Sequence, residues 1–428
     1  MTSRAEEATE ERAPGLWRNA DFVKFWLATN VSLLGSHLSM LAFPLLAVLT
    51  LQAGPAQMGA LGATRTAAAV LVGPFAGVFV DRMRRRPILV GTEVGLALMT
   101  FSVPAAATLG VLDFGLLYVV QFLSGTLTIF GEVAGMAFLP SLVARAQLVS
   151  ANSKVQASNA AVSVAGPGLA GLLVQWLGAP LVIVFDGVSF LLSAACVWMI
   201  RGGGPEPRPD SAEKRRSVWA EIGEGLRFVY GHRLLRPMAH SIALHFLFSG
   251  MVYTVFVLYA VRERGLAPAA LGVVMAALGP GFMFGALVAP RAARRFGVGR
   301  VMTWATLMAS AGTFLMAAAD GPATSVVLVF VAAHLLWGCG VQLHGVNFVS
   351  LRQAVTPHAL QGRMNASFRF VNLFAATLGA LAAGWLGERA GLRATLAVAA
   401  CGLLLPFLRL LLSPLRSLRE LPEEVVSH

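Results

Sequence analysis

Charge is scarce in this chain. Asp, Glu, Lys and Arg make up 13% of its 428 residues, against about a quarter in a water-soluble domain, while 57% of residues are hydrophobic. With a mean hydropathy of +0.71, this excludes an ordinary soluble globule. Cysteine is also rare. Cys196, Cys339 and Cys401 sit far apart in apolar sequence, where a free thiol packs as a small hydrophobe. No group of Cys or His has metal-ligand spacing, and no Gly-x-x-x-x-Gly-Lys-Ser/Thr loop offers a cradle for ATP. Enzyme chemistry would need paired carboxylates, a nucleophile beside its base, or metal ligands at membrane depth. The chain offers one strong acid and scattered histidines, so no catalytic residue, cofactor or metal is expected.

What the chain has is long apolar runs. Stretches of at least about 18 residues indicate membrane helices, because a spanning strand needs only about ten residues of alternating polarity. Twelve such spans are expected, near residues 22–51, 57–80, 88–111, 115–139, 155–177, 180–200, 237–261, 268–290, 300–319, 323–350, 364–387 and 391–413. Residues 1–21 mix Glu6, Glu7, Glu10 and Glu11 with Arg4, Arg12 and Arg18. They have no secretory-signal pattern, so the first helix is expected to remain.

The net charge of +12 is distributed in a way that does not require nucleic acid. Arginine and lysine gather at the N-terminus and in the even-numbered loops, as in Arg82 to Arg86, Lys214 to Arg216 and Arg291 to Arg295. The odd-numbered loops hold only Arg262, Arg264, Arg389 and Arg393. By the positive-inside rule both termini are expected in the cytoplasm of a multi-pass cell-membrane protein, with the anionic inner leaflet as the partner of the basic face.

The expected organisation has a cytoplasmic tail at 1–21, a six-helix bundle at 22–200, a cytoplasmic linker at 201–236, a second six-helix bundle at 237–413 and a cytoplasmic tail at 414–428. Gly, Pro and charge crowd residues 201–216, the composition of a linker. After it, Trp219, Ile222, Leu226 and Val229 form the stripe of a helix expected to lie along the inner membrane surface. The halves also echo one another. Gly285 to Arg295 follows the eighth span as Gly77 to Pro87 follows the second, and Gly384-Trp385-Leu386-Gly387 echoes Trp176-Leu177-Gly178.

Ionisable groups at membrane depth cost about 2.5–3.5 kcal/mol each on insertion scales and are functional candidates. Glu132 leads, since spacings of four, three and four put Gln121, Gly125, Thr128 and Glu132 on one helical face. Arg65, Glu93, Asp186 and Arg369 are the other embedded charges. Depth allows two pairings, Arg65 with Asp186 and Glu132 with Arg369; the first reads as a structural pair within the N-terminal half. Polar groups concentrate on the first, seventh and tenth spans: Asn30 and His37; His245 and Tyr253; and His334, Trp337 and His344. Each histidine alone is more often a satisfied interior residue than a ligand or proton carrier. Recurring glycines on the second, fifth, eighth and eleventh spans suit close backbone approach.

The string Gly77-Val-Phe-Val-Asp81-Arg82-Met-Arg84-Arg85-Arg86-Pro87 resembles the signature loop of major facilitator transporters, Gly-x-x-x-Asp-Arg/Lys-x-Gly-Arg/Lys-Arg/Lys, with Arg84 where that family prefers glycine. Gly166-Pro167-Gly168-Leu169-Ala170-Gly171, Phe185-Asp186-Gly187 and Gly362-Arg363-Met364 are similar to the branch containing macrolide efflux pumps and the enterobactin exporter. Gly166, Pro167 and Gly171 resemble the exporter element of the fifth helix. In place of the fourth-helix Arg-x-x-x-Gly stands Gln121-Phe-Leu-Ser-Gly125.

The resemblance implies an all-α fold of two pseudo-symmetric six-helix bundles with a midplane site between them, lined by the first, fourth, seventh and tenth helices. It further implies that Gly77, Asp81, Arg82, Arg85 and Arg86 form a conformational loop. The function expected is proton-coupled export of amphipathic small molecules such as drugs or antibiotics by a monomer, with Glu132, Arg369, Asp186 and Glu93 as coupling candidates. The alternatives are a dedicated exporter of one endogenous metabolite, such as a siderophore, and, from other classes, a membrane enzyme or a lipid-handling scaffold.

Overall fold

The computed structural model describes residues 15–80, 82–202, 218–420 and 422. Twelve helices among them are long and apolar enough to cross a membrane: Ala20–Leu49, Pro55–Val80, Arg85–Thr108, Phe114–Ser141, Arg145–Leu177, Ala179–Trp198, Leu235–Glu263, Pro268–Phe296, Val298–Ala318, Ala323–Ala354, Leu360–Ala390 and Leu392–Leu411. No strand occurs among the described residues. Hydrocarbon offers no partner to backbone N–H and C=O groups, so each segment satisfies them within its own helix.

Several spans are longer than their apolar runs, the fifth and eighth for visible reasons. The fifth begins at Arg145 rather than near 155, because Asn152, Ser153, Ser158 and Ser163 each donate to the carbonyl one turn earlier. Their polarity is absorbed by the helix instead of ending it. The eighth runs on to Phe296, carrying Pro290 and the basic cluster Arg291, Arg294 and Arg295 inside the helix.

Six spans precede the helix Val218–Gly231 and six follow it. With an even number of spans, the chain begins and ends on one side of the bundle, here termed the terminal side. The second span packs on the eleventh and the fifth on the eighth, and these two pairs carry most of the contact between the halves.

Both pairs are tightest on the side opposite the termini. A Cβ at Gly59 would sit 2.8 Å from Gly384 Cα, and one at Gly171 would sit 2.7 Å from Gly272 Cα. Only glycine allows backbones this close. Polar side chains finish each crossing: the Ala56 N–H donates to Glu388 Oε1 at 3.1 Å, and the Ala269 N–H donates to Gln175 Oε1 at 3.1 Å. These accept from backbone amides in the first turns of the second and eighth spans, where no intrahelical acceptor exists.

The two crossings are repeats of one another. Gly171, Gln175 and Gly178 have the spacing of Gly384, Glu388 and Gly391, and Gly178 and Gly391 end their spans with φ of 82° and 85°. The true repeat register is therefore offset from the Trp-Leu-Gly echo. A three-residue string is a weaker register mark than the left-handed glycine that ends a helix.

Toward the terminal side the second and eleventh spans diverge. The Thr66 and Thr377 hydroxyls still meet at 2.8 Å, whereas Cβ atoms at Gly73 and Gly77 would meet nothing within 4 Å. The bundle is thus closed on one side and parted on the other.

The helix Val218–Gly231 packs on the eleventh span. Arg363 Nη1 lies 2.8 Å from Glu224 Oε1, Ser367 Oγ donates to the Ile222 carbonyl at 3.0 Å, and Ile222 and Val229 are buried. Ile222 and Val229 of its stripe are thus turned toward the C-terminal half. Residues 1–14, 203–217, 421 and 423–428 lie outside the described residues.

Candidate functional site

Where the spans part, a cavity of about 250 Å³ opens, lined by the first, second, third, fourth, sixth and eleventh spans. Gln121, Gly125, Thr128 and Glu132, four residues at helical spacing on the fourth span, share its wall with Arg65, Asp186 and Arg369. This off-centre composition follows from packing. Gly125 fits against Ala68 and the Arg65 carbonyl, which sets the fourth span close on the second, and Gly35 leaves room for Asp186 and Ser189 against the first.

Glu132 Oε2 and Arg369 Nη2 are 3.0 Å apart, and both side chains are about half exposed, at 47% and 53%. Their spans make little other contact, so the pair bridges the halves across the opening. Exposed ion pairs stabilise little on their own, roughly 0–1 kcal/mol, which makes this a contact that forms and breaks at small cost.

Asp186 differs in kind. It is 3% exposed and takes a 3.4 Å hydrogen bond from Ser189 Oγ. Arg65 is exposed into the cavity, and no ion pair within 4.0 Å joins it to Asp186 or to any other described acid. Glu93 lies behind this wall, half-buried, with Ser32 Oγ donating to its Oε2 at 3.2 Å.

The remaining candidates do not line this cavity. Asn30 donates to the Trp26 carbonyl at 2.7 Å. The ring of His37 packs against Gly166, where a Cβ would lie 2.6 Å from its own Cβ. Pro167 and Gly171 serve the crossing of the fifth and eighth spans: the Pro167 carbonyl would lie 2.7 Å from a Cβ at Gly272.

On the tenth span, His334 Nδ1 is 2.8 Å from the Phe330 carbonyl and its ring packs on Phe256, while His344 Nδ1 is 3.2 Å from the Met302 carbonyl. Buried Trp337 contacts the exposed Tyr253, and His245 Nε2 meets Ser249 Oγ at 3.3 Å. The three histidines find their partners within the C-terminal half, whereas the buried Trp337 Nε1 has no hydrogen-bond partner among the described residues. A helical spacing shows that residues share a face, but not which neighbour that face meets.

In the loop after the second span, Arg85 donates to the Ala137 carbonyl at 2.9 Å, and Arg86 donates to the Trp198 carbonyl and lies over the Trp198 ring at 5.8 Å. Arg82 is exposed, and Gly77 has open space around its α-carbon. Asp81 is outside the described residues. Arg85 and Arg86 are thus anchored on the ends of the fourth and sixth spans. Sequence reasoning passed over Gly59, Gly272, Gln175 and Glu388. The shared Pro-x-x-x-Gly spacing of Pro55 to Gly59 and Pro268 to Gly272 was a usable signal for the first two.

A twelve-helix bundle in two repeated halves, with a charged cavity between helices, defines a membrane carrier. A family model of the Major Facilitator Superfamily matches residues 25–380 and 241–425, and the chain belongs to that superfamily. It is 29% identical over 393 residues to the multidrug efflux pump Tap of Mycolicibacterium fortuitum, covering 90% of this chain and 93% of that one. It is 26% identical over 400 residues to the MFS-type transporter YfiS of Bacillus subtilis, covering 91% and 92%. Among solved structures it is similar to the nucleoside transporter NupG (D323A mutant), with TM-score 0.75, 12% identity and coverage of 91% of this chain and 99% of that one. It is also similar to a bacterial homologue of the iron transporter ferroportin in an inward-facing state, with TM-score 0.72, 19% identity and coverage of 94% and 100%. At these identities the structural likeness speaks to the fold alone. The protein is a multi-pass membrane transporter.

Proposed function

We propose that this transporter is a proton-coupled exporter of amphipathic small molecules, acting as a monomer with both termini in the cytoplasm. With that orientation the parted side faces inward, and the state described here is the one that takes up substrate from the cytoplasm. The relatedness to a multidrug efflux pump supports the direction and the substrate class.

The observation that carries the reading is the Glu132–Arg369 bridge across the opening. Ionised Glu132 holds Arg369, and so favours the arrangement in which the halves stand as they do here. A cationic group on a substrate competes with Arg369 for the carboxylate, as does a proton. Competition of substrate and proton for one carboxylate makes their binding mutually exclusive, which is the requirement for exchange. Inward proton flow then drives outward substrate flow. One proton exchanged for one monovalent cation moves no net charge, so the pH gradient is the driving force. Membrane potential adds about 2.3 kcal/mol per 100 mV only for each net charge moved, as with a neutral substrate. Asp186 and Glu93 stand behind Glu132 as further proton sites, and Asp81 with Arg82, Arg85 and Arg86 acts as the conformational loop.

Drug-sized ligands occupy about 300–1,000 Å³, so a larger substrate extends from the 250 Å³ cavity into the space between the halves. The charge density of that cavity, with Arg65, Glu132, Asp186 and Arg369 on one wall, favours a second reading: a dedicated exporter of one polar or zwitterionic metabolite. A susceptibility and accumulation assay over a panel of cationic, neutral and zwitterionic compounds, in a host lacking its own efflux pumps, separates the two. Protection against several unrelated amphipaths supports the first reading. Protection against a single polar compound supports the second, and protection against none contradicts export.

A further inference from the structure

We propose that the outer surface of the C-terminal half carries a binding site for an anionic phospholipid, at the terminal-side ends of the eighth, ninth and twelfth spans. Two depressions meet there. One, of about 620 Å³, is bordered by Phe296, Val301, Trp304, Met308 and Leu343, and the other, of about 320 Å³, is bordered by Arg300, Leu411, Arg416 and Ser417. Arg300 and Trp304 line both.

Arg300, Trp304 and Met308 recur every four residues and form one stripe down the ninth span. At 1.5 Å per residue the stripe runs about 12 Å into the bilayer from the arginine. It thus begins at headgroup depth and ends among acyl chains. Trp304 is 59% exposed and packs against Phe407 of the twelfth span at 5.6 Å, at the depth where tryptophan marks a membrane interface.

The backbone segments that carry the two arginines are tied together. Val298 and Gly299 donate backbone hydrogen bonds to the Arg419 and Leu418 carbonyls at 3.2 and 3.0 Å. These bonds tie the segment carrying Arg416 to the start of the ninth span, beside Arg300. Both arginines are exposed, and among the described residues neither forms an ion pair or a side-chain hydrogen bond. Two adjacent cations without a counter-charge, above an apolar groove, match a phosphodiester with its acyl chain. The ninth and twelfth spans make no substantial contact with the N-terminal half, so the site is remote from the cavity, and the inference does not depend on the direction or coupling of transport.

The test is native mass spectrometry of the full chain in detergent, titrated with phosphatidylglycerol, with phosphatidylcholine of identical acyl chains, and with inorganic phosphate. Wild-type protein retains phosphatidylglycerol in preference to phosphatidylcholine. Arg300→Ala/Arg416→Ala weakens that retention by about thirtyfold, at the usual contribution per basic residue near an anionic headgroup, whereas Arg291→Ala/Arg294→Ala retains it. Met308→Trp, which fills the groove and leaves both arginines in place, also weakens retention and decides the matter if the double variant does not fold. Equal retention of the two lipids by wild type, equal loss in the control pair, full retention by Met308→Trp, or phosphate binding as tightly as phosphatidylglycerol would overturn the site.

Discussion

Arg369 and Glu132 meet at 3.0 Å across the parted side of the bundle, and apart from this bridge their helices barely touch. On the opposite side the halves are held by backbone crossings at glycine. One contact is a reversible ion pair and the other a geometric clasp, so the two faces of the molecule obey different physics. The following outcomes are expected from that difference.

Gly59→Val places a branched side chain where a single Cβ already approaches Gly384 Cα to 2.8 Å. Overpacking of this kind costs about 1–3 kcal/mol in the clasped state, enough to shift a two-state equilibrium by about 5–150-fold. A thiol at position 121, in a background without Cys196, Cys339 and Cys401, should react faster with an impermeant reagent applied from the side opposite the termini. Unchanged labelling would show that the clasp does not hold that side shut.

Glu388→Ala and Gln175→Ala remove the acceptors for Ala56 and Ala269. Loss of a helix N-terminal acceptor costs about 1 kcal/mol. Each single variant should show a modest rise in the same labelling, and the double variant about the sum of the two.

Asp81→Asn should leave substrate binding largely intact while slowing export, since the loop is assigned a conformational role rather than contact with substrate. Export by the purified variant at the wild-type rate would reduce the loop to a topology signal. Orientation has its own check: a cysteine at position 206 should be labelled only from the cytoplasmic side.

Acid stability offers a check outside the membrane. Asp320, between the ninth and tenth spans, is held below the usual carboxylate range by the Gly321 N–H, then by Arg264 at 3.0 Å, with Arg393 at 3.8 Å. A carboxylate whose pKa is depressed in the folded state contributes stability above its unfolded pKa, about 3.9, and loses it as pH falls through the folded value. Wild-type protein should therefore lose thermal stability below about pH 4 more steeply than Asp320→Asn, while the variant is the less stable of the two at neutral pH.

The number and type of spans were legible because hydropathy over about twenty residues is a strong local signal. The one-face reading of Gln121, Gly125, Thr128 and Glu132 rested on helical geometry, and all four line one cavity. Neighbours across helices were not legible. Nothing local to His334 reveals that its ring meets Phe256 rather than a cavity, and nothing local to Gly59 reveals Gly384. Such pairings are set by how the halves are docked, which no window of sequence contains. The start of the fifth span escaped for a different reason, since serine and asparagine bonded to carbonyls one turn back look like loop by composition.

Gradient-driven efflux from proteoliposomes, with substrate binding measured on the same variants, tests the coupling claim most directly. Glu132→Gln keeps the shape and hydrogen-bonding capacity of the side chain but cannot ionise. It should abolish efflux driven by an imposed pH gradient and weaken the binding of a cationic substrate, because Gln stands in for the protonated acid that excludes substrate. Undiminished gradient-driven efflux by Glu132→Gln would contradict the account and pass the carrier role to Asp186, Glu93 or His37.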